Sequence, residues 1–254
     1  MLLAACALSC DLTLIPEDTV TPDTSFKSRT DLDNWCNYYY NIFESAETYS
    51  GRNADDLVDN SLGDIILGTR YATDDLDAKN EWYWKHLRNI NYCLERVHQC
   101  EDAQAAKEYT GVCYFFRALT YFEKVMRFGD VPWYDHVLGS DETGELRRPR
   151  DDRGFVMDKV MEDLDNAIEM LPEGKDVYHV TKWTALALKS RAALFEGTWR
   201  IYHEMEDAEK YLAQAVEAAE TFIDDSPYSI WSGGENPYRT LFNSLDAVEQ
   251  EIIL

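Results

Sequence analysis

The chain has 254 residues, of which 45% are hydrophobic and 13% aromatic, enough apolar material for one large folded domain and too much for a disordered chain. Acidic residues number 48 against 24 basic ones, a formal net charge of -24. A surface of that sign repels phosphate backbones, so nucleic acid is not an expected partner. No apolar run is long enough for a membrane-spanning helix, which excludes that class of membrane protein.

Met1 to Cys10 is apolar, with small residues leading to a cysteine. This is the pattern of a secretory signal tail ending in a lipoprotein cleavage site, here short and without an upstream Lys or Arg, as in a signal peptide truncated at its start. Cys10 is the expected lipid anchor, because Asp11 and a polar stretch follow it; Cys6 matches locally but has almost no apolar segment before it. Residues 11–30, with Pro16, Pro22 and several Thr and Asp, are expected to form an extended tether.

From Asp31 the period is helical. In 31–46, Leu32, Trp35, Tyr39, Ile42, Phe43 and Ala46 recur at steps of three and four. Residues 47–80 are broken by Gly51, Gly63, Gly68 and many Asp and Asn, predicting long loops with a short element at Ile65 to Leu67. Further helices are predicted over 81–99, 104–128 (stopped by Gly129 and Pro132), 152–171, 181–197 (capped by Thr181 and ended by Gly197) and 206–224, with an irregular stretch at 133–150. The chain turns frequently beyond Pro227. Arg117-Ala118 and Arg191-Ala192 recur in similar helix contexts 74 residues apart, about two tetratricopeptide lengths. Stacked helix pairs follow as the expected architecture, with Arg117 and Arg191 each pairing a buried acid between helices.

Of six cysteines, none forms a CxxC pair, so zinc-ribbon and thioredoxin readings lack support. Cys93 and Cys100, seven residues apart on one predicted helix face, stand about 10 Å apart, too far for a disulfide. A Cys100–Cys113 bridge stays open beside the preferred reading, buried thiols.

Several segments together resemble the SusD/RagB family of outer-membrane lipoproteins. They are Phe115 to Phe122 continuing through Arg127-Phe128-Gly129-Asp130-Val131-Pro132, then Arg153, Asp163-Leu164, Ala167 and Leu171-Pro172, then Val180-Thr181-Lys182 and Ala185 to Gly197, with Trp84, Ile90-Asn91 and Leu94 upstream. The resemblance spans roughly 26–254. It implies an all-α, tetratricopeptide-like helical superhelix with long inserted loops, of which 31–254 would be the N-terminal part, incomplete at the C-terminus. It implies a lipid anchor in the outer membrane, a SusC-like TonB-dependent transporter as partner, an oligosaccharide or other nutrient as ligand, no cofactor and no catalysis. The alternative is a tetratricopeptide-type adaptor for protein partners.

Sugar recognition needs flat aromatic faces and polar groups for hydroxyls. The 47–84 region offers Asn53, Asp55, Asp56, Arg70, Tyr71, Asp75, Asn80, Trp82 and Trp84. Trp82 and Trp84, two apart, are expected to face different ways, Trp84 into the core and Trp82 outward. Trp133, Tyr134, Arg147, Arg148 and Arg150 form a second candidate patch, expected to touch the transporter or the membrane-proximal surface. No HExxH, GxSxG, EF-hand or phosphate-loop pattern occurs, so catalytic and metal sites are not expected.

Overall fold

Short polar residues set where the helices start. The structure, a computed structural model, describes residues 25–43, 62, 64–69 and 82–254. Ser28 opens α1 (Arg29–Cys36) with a capping box: the Asp31 amide donates to the Ser28 hydroxyl, and the Asp31 carboxylate accepts from the Ser28 amide at 2.8 Å. A 3₁₀ turn, Asn37–Ile42, continues it, and α2 is a single turn, Asp64–Leu67. α3 covers Lys85–Leu94. Asp102 and Asp152 cap α4 (Ala103–Phe128) and α5 (Arg153–Met170), each accepting from two first-turn amides. Thr181 and Thr184 form the capping box of α6 (Lys182–Tyr202). α7 (Ala208–Asp225) and α8 (Pro237–Phe242) complete the helices. Among the described residues there is no strand, only an isolated antiparallel bridge between Val131 and Asp151.

The helices pack in pairs, α4 with α5 and α6 with α7, and α5 against α6 joins the pairs. α1 and α3 cover the other side of α4. Phe116, Tyr121 and Phe122 of α4 and Met157 and Leu164 of α5 are fully buried, each contributing roughly 1.5–3 kcal/mol by burial. Small residues bring the second pair close: a Cβ on Gly197 would lie 2.8 Å from Leu212 on α7. Among the described residues no helix is long and apolar enough to cross a membrane.

Several expectations are corrected. Phe26, inside the expected tether, is fully buried, and α1 begins at Arg29. The single helix expected over 81–99 ends at Leu94; its stripe continues through the break because Val97 buries on the same side from a 3₁₀ turn. Cys100 therefore lies beyond α3, not on it. Cys36, Cys93, Cys100 and Cys113 are free, buried thiols, so the Cys100–Cys113 bridge does not form. Gly197 does not end α6, which runs on to Tyr202; its missing side chain is used for close packing, not for termination. Arg117 pairs with buried Asp163 as expected, but Arg191 is exposed. The second buried acid is Glu196, held between Arg153 (2.7 Å) and Arg200 (2.9 Å).

Candidate functional site

The α4–α5 ion pair is the root of the site. Arg117 grips Asp163 through two parallel bonds of 2.7 Å, from Nε and Nη2, a strong charge-assisted geometry. Its Nη1 donates to the Asn91 side-chain oxygen at 3.3 Å. Asn91, buried on α3, donates onward to the carbonyls of Tyr134 (2.9 Å) and His136 (3.1 Å). Tyr121 of α4 accepts from the Tyr134 amide at 2.6 Å and stacks on Trp133 with ring centroids 4.2 Å apart. The Trp133 amide donates to Asp151 at 2.7 Å, and Arg148 binds both Asp151 and the Trp133 carbonyl. A chain of buried and part-buried bonds thus fixes the 131–151 loop against α3 and α4.

Between this loop and the start of α3 lies a cleft of about 590 Å³. Trp82 and Trp84 form one wall, edge to face with centroids 5.2 Å apart. Tyr134 packs edge to face on Trp84, with centroids 5.7 Å apart, and extends this wall. The Arg150 guanidinium lies 4.8 Å from the Trp82 ring, and Arg148 lies 5.1 Å from that of Tyr134, distances of cation–π contact. Lys85, Arg88 and His136 add positive or protonatable groups, and among the described lining residues there is no carboxylate. Hydrogen bonding to Asp135 raises the His136 pKa, outweighing the opposing effect of burial. The lining therefore joins aromatic faces to hydrogen-bond donors, and it is cationic in a strongly acidic chain.

Trp82 lies in the cleft, half-buried against Trp84 and Phe128. Trp84 is also half-buried and shares the same wall, so the expectation of opposite orientations is corrected: residues 82–84 precede the helix, where helical spacing does not apply. The second patch divides. Tyr134, Arg148 and Arg150 face the same cleft as Trp82, Trp133 is buried in the core, and Arg147 is exposed outside the lining. Cys10, Asn53, Asp55, Asp56, Arg70, Tyr71, Asp75 and Asn80 lie outside the described residues. Sequence reasoning missed Lys85, Arg88 and His136 as lining and Asn91 as the link to the loop. The three-residue spacing of Lys85 and Arg88 at a helix start was the available signal.

A model of the SusD-like family, described as starch-binding and associating with the outer membrane, matches residues 17–194. A SusD-like protein of Formosa agariphila is 22% identical over 264 residues, covering 94% of this chain and 46% of that protein. The crystal structure of a SusD-like protein from Bacteroides fragilis superposes with a TM-score of 0.69 at 23% identity, over 86% of this chain and 42% of the other. A laminarin-binding SusD-like protein gives 0.67 at 21% identity, over 90% and 51%. The chain spans about half the length of these relatives.

Proposed function

The chain belongs to the SusD-like family, and on that premise we propose that it is a non-catalytic cell-surface lipoprotein that captures a glycan in the Trp82–Tyr134 cleft and delivers it to a TonB-dependent outer-membrane transporter. The observation that carries the reading is the half-buried indole pair, extended by Tyr134, beside a row of donors. Sugar rings present C–H faces to such aromatic surfaces, while their hydroxyls accept from Arg and Lys groups placed around them. Structural relatives include one that binds laminarin and one solved with a xylogluco-oligosaccharide. Lys85, Arg88 and Arg150 add a preference for glycans that carry acid groups.

The family description, starch-binding, supports binding without turnover. The family's association with the outer membrane supports the reading of Cys10 as the acylated anchor. Asn53, Asp56, Arg70, Tyr71, Asp75 and Asn80 are proposed as further ligand contacts from the segment preceding Trp82.

The test is calorimetric titration of the whole chain with a panel of neutral, uronate-bearing and sulfated oligosaccharides. At least one is bound, and Trp82→Ala weakens it about tenfold or more, a loss of about 1.4 kcal/mol. Failure of every panel member, or unchanged affinity in both Trp82→Ala and Trp84→Ala, would sink the proposal.

A further inference from the structure

Away from the cleft, Cys36, Cys93 and Cys113 bring their sulfurs within 4.8 Å of one another. Each comes from a different helix: Cys36 ends α1, Cys93 lies in α3 and Cys113 in α4. Their exposures are 1%, 0% and 0%. The nearby Tyr39 hydroxyl is committed elsewhere: it accepts from the Trp35 indole at 2.9 Å and donates to the Asn89 carbonyl at 3.0 Å.

We propose that Cys36, Cys93 and Cys113 form a structural site for one thiophilic d¹⁰ cation of the zinc or monovalent-copper class, clamping α1 onto α3 and α4. The spacing favours a shared cation over a disulfide. Metal–sulfur bonds of about 2.3 Å arrange three sulfurs about 4 Å apart around one centre, inside the 4.8 Å that bounds the present separations. A disulfide needs about 2.05 Å and uses only two of the three. Soft sulfur donors select soft cations over calcium or magnesium. Each of the three cysteines is far from the others in sequence, so the site arises only when three helices meet. It closes the N-terminal helix onto the core from one point, a cross-link that needs no oxidant. This inference is independent of the glycan reading.

The experiment uses the full chain in a Cys6→Ala, Cys10→Ala, Cys100→Ala background, which leaves only the three clustered thiols, purified under reducing, metal-free conditions. Cadmium is titrated in and its sulfur-to-metal charge-transfer absorption followed, and in a parallel titration cadmium displaces zinc from the zinc-loaded chain. One ion per chain is expected, with a higher melting temperature and an affinity that rises with pH, because the thiols lose protons on binding. Cys93→Ala and Cys36→Ala, each checked as helical by circular dichroism, lose the band. Absence of the band in the folded chain, its survival in both variants, or a disulfide within the trio of the wild-type chain by mass spectrometry overturns the proposal. If an alanine variant unfolds, the corresponding serine variant takes its place.

Discussion

The two helix-pair seams are held in opposite ways. The α4–α5 seam contains a buried ion pair, Arg117 with Asp163, whose remaining donor passes through Asn91 to the loop backbone at Tyr134 and His136. The α6–α7 seam is closed by small residues: Gly197 against Leu212, Ala215 and Ala218 buried, and the Ser190 hydroxyl donating to the Ala215 carbonyl at 3.1 Å. An apolar seam gains from burial and dispersion, which are non-directional, so it holds two helices together and orients nothing beyond them. A bidentate pair with a third donor has direction, and that direction reaches the cleft. The site is thus built onto the polar seam, and the apolar one serves the frame.

The sharpest way to break this contrast is to strip the polar seam. Asp163→Ala leaves Arg117 buried without its acid, and chemical denaturation is expected to show a loss of about 3–5 kcal/mol. Adding Arg117→Met should restore most of that stability but not ligand binding, because the line through Asn91 stays cut. Recovery of binding along with stability would contradict the linkage.

Asn91→Leu separates scaffold from site with a smaller effect. It removes the bonds to Tyr134 and His136 and one acceptor of Arg117, at a cost of about 1–3 kcal/mol. The bound oligosaccharide should weaken more than Trp133 stacking is disturbed, read by calorimetry beside near-ultraviolet dichroism.

The smallest effect belongs to the apolar seam. Gly197→Ala would gain up to about 1 kcal/mol from helix propensity alone. Its new Cβ meets Leu212 at 2.8 Å and the Ala208 carbonyl oxygen at 3.2 Å, and overpacking of this kind costs about 1–3 kcal/mol. A net loss near 1 kcal/mol in thermal melts, with glycan affinity unchanged, is expected. A change in affinity would mean that the second seam also reaches the cleft.

The four long helices were legible because each writes its buried face at steps of three and four, and α6 also announces its start with Thr181. Trp82 was legible as a cleft residue candidate because it precedes a helix among polar residues. The union of Trp82 with Tyr134, Arg148 and Arg150 was not, because the loop's path depends on Asn91 and Tyr121 reaching it from 43 and 13 residues away. Arg191 looked equivalent to Arg117 by motif, yet its position on α6 faces solvent while Glu196 collects its two arginines from α5 and α6.

The sequence by itself determined the helical class, the element order, the caps and the acidic character, since these follow from local periodicity and residue chemistry. Tertiary structure alone decided that two separate patches share one cleft, that Gly197 is a packing residue and not a stop, and that three distant cysteines meet. The reason is physical: periodicity records which face of a helix is buried, whereas a site depends on which faces of different elements are brought together, and only packing fixes that.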